Sequence, residues 1–291
     1  MKMMDNRGHI AVEIAIVLVV ILMISGIVLN MSEKMTNKAI KASEIENTQL
    51  MISEVIDNLI NNPGVPDKWN EYKKGTPGLA VINENEEIIP NSVSYDKFTF
   101  LGKNYKKFVT EKIFDSKIKS SMELIPQESS ISSVKIGDTH ESGNIYSQNR
   151  LVKCDFFKKF VLKDFKNEGK CNHGHKQSSH SCNYFKIFKG NLKHSNYYLI
   201  IDKDEKTNLQ YMVDTTRVVK SRFWESPHSD IIYLNDKINF YEDTSAVVFI
   251  HFNKAHAKAV LVSVPKTFKI NDLNYDHFRT NDCELILKAW Y

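Results

Sequence analysis

Apolar positions along this chain follow three successive patterns. From Ile10 to Leu29 they are almost unbroken, and Glu13 is the one ionisable residue among those twenty. At about 1.5 Å of rise per residue the run makes a helix of roughly 30 Å, the thickness of a bilayer's hydrocarbon core. After it, Met31, Met35, Ala39, Ala42, Ile45, Gln49, Ile52, Ile56 and Leu59 recur at steps of three and four and leave one stripe. Lys34, Lys41, Glu44, Glu46 and Glu54 fall mostly between them. No Pro or Gly interrupts from Ile27 to Asn62, and Asn61-Asn62-Pro63-Gly64 is a stop. The two runs therefore predict one helix of about fifty residues, half suited to lipid and half amphipathic. A coiled-coil stalk would leave a similar seam in the second half.

The third pattern is short and strand-like. Val81-Ile82 and Glu87-Ile88-Ile89 read as extended pieces, Tyr105 to Ile118 as an amphipathic helix, and Met122 to Ile125 as an edge strand. Residues 126–149, rich in Ser, Gly, Asn and acidic groups, read as a linker. Beyond it, Tyr184–Phe188, Tyr197–Ile201, Leu209–Asp214, Ile231–Leu234 and Ile238–Tyr241 have β propensity. Ala246–Phe252 and Ala259–Val264 read as a hairpin turning near Asn253-Lys254, and Glu284–Tyr291 as a final strand. Leu151 to Phe165 suits helix or strand. The expected fold is α+β: a long N-terminal helix, then a mainly antiparallel-β head in a sheet or small sandwich.

Composition adds bounds. A chain of 291 residues that is 42% hydrophobic can bury a core beyond its apolar helix. The apolar run is too long for a cleaved secretory h-region and lacks a small-residue cleavage site after it. A second run of that length is absent, so one membrane pass is expected. Charges flank it on both sides, Lys2 and Arg7 before, Lys34, Lys38 and Lys41 after, and leave orientation open. The net charge of +4 is modest.

The stretch Arg7-Gly8-His9-Ile10-Ala11-Val12-Glu13 resembles the prepilin-type (class III) signal of type IV pilins, most closely that of archaeal pilin-like proteins. Gly8 matches the residue before the cut and Glu13 the acidic fifth position, while His9 stands where Gln is usual. Pro63-Gly64-Val65-Pro66-Asp67-Lys68-Trp69, then Pro77-Gly78-Leu79-Ala80, then Val93-Ser94-Tyr95-Asp96-Lys97 through Leu124-Ile125-Pro126 resemble the same proteins in the same order. The resemblance spans roughly residues 5–137. It implies a leader over 1–8 removed by a prepilin peptidase, and a pilin-like helix over 9–62. The Ser/Gly-rich linker divides the remainder into a small α+β connecting region over 63–140 and a β-rich head domain over 141–291. The resemblance also implies a cytoplasmic N-terminus, an extracellular head, and other pilin-like subunits as partners.

Chemistry is sparse. The segment Cys171-Asn172-His173-Gly174-His175-Lys176-Gln177-Ser178-Ser179-His180-Ser181-Cys182 offers three imidazoles and two sulfurs, admissible as a zinc or copper site but off zinc-finger spacing. The competing reading is a Cys171–Cys182 disulfide with solvated histidines, leaving Cys154 and Cys283 for a second bridge; two other connectivities stay open. Between Arg150 and Ile200 eleven Lys/Arg stand against three Asp/Glu, with Phe and Tyr interleaved. Lys158, Lys159, Lys163 and Lys166 are candidates for a surface polyanion, against the plainer reading of a solvated basic face. No nucleophile elbow, phosphate loop, His-Glu-x-x-His or dinucleotide fingerprint occurs. The expectation is a non-enzymatic surface protein without cofactor, a minor filament subunit or adhesin held by a single membrane pass. The alternative is a membrane-anchored extracellular module binding a polyanion or metal.

Overall fold

The computed structural model describes residues 6–127, 131–140, 143–169, 181–215 and 224–291, with side chains from Glu13 onward. The first element, α1 (Asn6–Asn61), is one uninterrupted helix that ends where Pro63 forbids continuation. Every residue from Glu13 to Asn47 is exposed. Burial begins at Thr48 and continues through Ile52, Ile56, Leu59 and Ile60. The head thus covers only the last turns of the predicted amphipathic half; Met31, Met35 and Ile45 stay exposed.

Past α1 the chain doubles back and satisfies carbonyls that a helix end leaves orphaned. Leu79 N–H donates to Leu59 O at 2.7 Å and Ala80 N–H to Asn62 O at 3.1 Å. Trp69, in the short α2 (Trp69–Tyr72), is fully buried as expected, and its Nε1 donates to Gly78 O at 2.9 Å. Gly64 is at φ +91°, and a Cβ there would stand 2.2 Å from the Trp69 ring. Only glycine fits that approach.

The predicted helix over 105–118 is displaced. A helix forms at α3 (Tyr95–Lys103), where the Ser94 side chain accepts from Lys97 N–H as an N-cap. The chain then passes through a π turn at Lys106–Thr110 and irregular turns. Phe108, Val109, Phe114 and Ile118 still reach the core, so their apolar spacing reflects burial without continuous helix.

Strands β1 (Ala80–Ile82), β2 (Ile88–Val93), β3 (Lys119–Pro126), β4 (Val134–Gly137) and β5 (Tyr146–Cys154) follow. Then come β6 (Val161–Asp164), β7 (Ser181–Phe188), β8 (Ser195–Ile201), β9 (Tyr211–Thr215) and β10 (Ile231–Tyr233). The last are β11 (Ser245–Phe252), β12 (Ala259–Pro265) and β13 (Asn281–Trp290). They form three sheets: β1-β2-β5-β13-β3-β4, β10-β8-β12-β6 and β7-β11-β9. All pairings are antiparallel except β2 with β5. The architecture is α+β, as expected.

The sheets do not divide at residue 140. The six-stranded sheet that carries α1 has β5 and β13 at its centre, although both lie in the stretch assigned to a separate head. Leu285, Leu287 and Ala289 of β13 share one core with Ile52, Ile56 and Leu59 of α1. Residues 155–280 are therefore inserted between two neighbouring strands. β3, expected at an edge, is interior between β13 and β4. Ile238–Tyr241 forms no strand and follows a 3-10 turn.

The insertion is a sandwich. Ile187, Val248, Ile250 and Phe252 of one sheet meet Leu199, Ile201, Ala259 and Leu261 of the other, with Phe165 against Phe252 at 4.9 Å between ring centroids. β11 and β12 do not pair with each other: β11 lies between β7 and β9, β12 between β8 and β6. The turn read as a hairpin loop carries the chain across from one sheet to the other. β12 is buried on both faces, because Tyr275, Phe278 and Leu273 cover Val260, Val262 and Val264. That is why its sequence is apolar without alternation.

Candidate functional site

Two regions of the molecule invite a functional role, the bare helix and the inserted sandwich. On α1 the side chains from Ile14 to Leu29 are exposed, Leu29 by 70% and Ile14 by 57%. This is the one helix among the described residues long and apolar enough to cross a membrane, and it lies near the N-terminus. Burying such a surface in lipid removes the penalty of exposing it to water. Glu13 stands at its start and is exposed. Gly8 and His9 belong to the same helix.

Where α1 meets the sheet, Arg150 on β5 binds Asp57 with both arms of its guanidinium. Nε donates to Oδ1 at 2.7 Å and Nη2 to Oδ2 at 2.9 Å, and Nη2 also donates to Ser53 Oγ at 2.8 Å. Arg150 sits opposite Leu285 in register, so it points to the helix side of the sheet. Above it a groove of about 490 Å³ runs between helix and sheet, lined by Lys41, Glu44, Ile45, Thr48, Tyr146 and Tyr291. Thr48 Oγ1 and Tyr291 Oη share a hydrogen bond at 3.0 Å there. The sequence offered no signal for this pair or for Arg150 with Asp57, since the partners are far apart in the chain.

The insertion joins the anchored sheet through an aromatic hinge. Tyr95 of α3 packs edge-on against Phe157 at 5.4 Å, and Phe157 in turn meets Phe268 at 5.1 Å. A cleft of about 310 Å³ opens beside them, floored by Tyr95, Phe156 and Phe157 and rimmed by Asp272, Asn274 and His277. His277 Nδ1 is 2.7 Å from Asp272 O. Asp155 at this hinge accepts from Tyr95 N–H at 2.9 Å, and burial pushes its carboxyl above the usual range.

The residues singled out from the sequence are dispersed. Lys158 is exposed, Lys159 ion-pairs with Asp96 and lies over the Phe160 ring, Lys163 sits on β6 opposite Leu261, and Lys166 is exposed beyond it. Lys159 is thus engaged within the protein. Cys171, His173, His175 and His180 lie outside the described residues. Cys182 is the second residue of β7, buried, opposite the buried His251 of β11. Among the described residues no cluster of three or more His, Cys, Asp or Glu could hold a metal, and no disulfide is present. Cys154 and Cys283 are thiols, both fully buried, in neighbouring strands.

No family model, no curated protein and no solved structure matches this chain.

Proposed function

We propose that this chain is a non-enzymatic, pilin-like surface protein, a minor subunit of a type IV pilus-like filament or an adhesin anchored the same way. A prepilin peptidase removes residues 1–8 between Gly8 and His9. The apolar half of α1 first holds the protein in the membrane by a single pass, with the head outside. In a filament the new amino group of His9 pairs with Glu13 of a neighbouring subunit. A carboxylate in an apolar helix bundle needs such a partner, since breaking a buried pair costs about 3–5 kcal/mol.

The observation that carries this reading is α1 itself. It is continuous from Asn6 to Asn61, bare from Glu13 to Asn47, and fastened to the head only by its last turns. A helix exposed over that length needs lipid or other helices around it. N-terminal sequencing of the mature protein tests the processing step: a start at His9 supports it, and an intact Met1 ends it. Glu13→Ala should leave membrane insertion unchanged and abolish assembly; normal filaments from that variant would overturn the pairing.

A second reading, a membrane-anchored module that binds a polyanion or metal, is favoured by the insertion. The sandwich hangs from the anchored sheet as a unit with its own core. Stoichiometric metal in the purified protein, or salt-sensitive binding of an acidic polymer lost on Lys158→Glu, would support that reading. Neither result is expected of a purely structural subunit.

A further inference from the structure

The sandwich is held to the anchored sheet by two chain crossings, and a cysteine stands on each. Cys154 is the last residue of β5 and Cys283 the third of β13. In register Cys154 faces Asn281 and Cys283 faces Val152, which makes the two cysteines diagonal neighbours on one strand pair. Their side chains enter the same core as Val152 and Leu285, and both are 0% exposed. Diagonal neighbours lie about 7–8 Å apart at Cα and closer at Cβ. Cys283 Sγ donates to the carbonyl of Asn281, the residue opposite Cys154, at 3.5 Å. A bond between the two cysteines needs their Cα atoms to close to within about 7 Å.

We propose that Cys154 and Cys283 close a disulfide across this neck, fastening the inserted sandwich to the anchored sheet. The bond selects one of the three pairings that four cysteines allow and ties residues 155–282 into a closed loop. A load taken by either crossing is then shared by β5 and β13 together. The inference rests on the outward placement of the head in the proposed function, because only an oxidising compartment keeps such a bond.

The chemistry is a dithiol–disulfide exchange. Burial pushes the Cys154 thiol up in the finished fold. Either thiol serves as the first nucleophile, here Cys283. Its thiolate attacks the disulfide of an oxidant of the thiol–disulfide oxidoreductase or glutathione class, and a mixed disulfide forms. Cys154 gives up its proton and attacks the Cys283 sulfur. The electron pair of the broken S–S bond and two protons leave on the oxidant, now a dithiol or two thiols. Both sulfurs are buried in the finished fold, so the exchange belongs to folding, before the neck closes.

The test uses the full chain in detergent. Reduced protein is opened in mild denaturant, returned to native buffer with a glutathione redox couple, alkylated and mapped by peptide mass. The expected product is one cross-linked peptide pair carrying Cys154 and Cys283, lighter by two hydrogens, with alkylation lost at both. Cys154→Ser should abolish that pair and restore alkylation of Cys283. Recovery of both as alkylated thiols in refolded protein, or pairing of either with Cys182, overturns the proposal. The same map on membranes alkylated before lysis separates it from the location of the head. Thiols free in the cell but bridged after refolding support the pairing and count against an outward head.

Discussion

The guanidinium of Arg150 clasps the carboxylate of Asp57 in two parallel hydrogen bonds of 2.7 and 2.9 Å, locking the rotation of α1 over the six-stranded sheet. That grip is a bidentate, charge-assisted contact between a helix and a strand ninety-three residues apart. It holds the Asp57 carboxyl below the usual carboxylate range. The pair is half open to solvent, with side chains 28% and 46% exposed, so Asp57→Ala should cost only about 0.5–1 kcal/mol. A depressed carboxyl stabilises the folded state above its unfolded value of about 3.9 and loses that contribution as pH falls through its folded value. Denaturant melts at neutral and acidic pH should show a smaller acid loss in Asp57→Ala than in the parent.

The turn after α1 rests on one glycine and one indole. Gly64→Ala forces a Cβ into the Trp69 ring at a left-handed φ and should destabilise by about 1–3 kcal/mol. Trp69→Ala empties the space that Phe100 and Phe108 close edge-on and should cost about 3–5 kcal/mol. Near-UV circular dichroism during denaturation measures both. Equal stability of Gly64→Ala and the parent would mean that the ring moves aside freely.

Lys97 is a buried cation serving as a clamp. Its Nζ donates to Pro63 O at 2.8 Å and Ala80 O at 3.0 Å, joining both sides of the connection to α3, and burial pushes its amine below the usual range. Lys97→Met keeps the stem but strands two carbonyls, an expected loss of about 1–3 kcal/mol by chemical denaturation.

Cys154 and Asn281 are cross-strand partners, and Phe157 N–H donates to His277 O at 2.8 Å, so the two ends of the insertion lie side by side. Replacing residues 157–278 by a short Gly-rich turn should leave the anchored sheet folded. The shortened chain is expected to keep the near-UV signature of Trp69 and Trp290 and to unfold in one transition. Loss of that signature would show that Phe157, Phe160 and the cover they carry are needed by the sheet as well.

Much of the fold was written locally. The helix from Asn6 to Asn61 follows from a run without Pro, free of Gly as well from Ile27 on, and a Pro-Gly stop, because helix formation reads mainly neighbouring residues. The buried Trp69, most strands of the sandwich and the apolar core of β12 follow in the same way. Period and propensity respond to burial, and burial leaves its spacing in the sequence.

What the chain order could not carry is which strand sits beside which. Ala246–Phe252 and Ala259–Val264 read as strands whether their turn joins neighbours in one sheet or opposite layers of a sandwich. Only the shared core with Phe165 and Leu199 selects the second. β13 would suit any sheet; it lies beside β5 because Leu285 and Leu287 complete the surface on which α1 rests. That placement turns a head domain into an insertion, and it also brings Arg150 to Asp57 and Cys154 to Cys283. Local sequence fixes φ, ψ and the side that faces inward, whereas long-range pairing depends on the fit of whole surfaces. The helix was therefore determined by the sequence read along the chain, and the neck beneath the sandwich by tertiary structure alone.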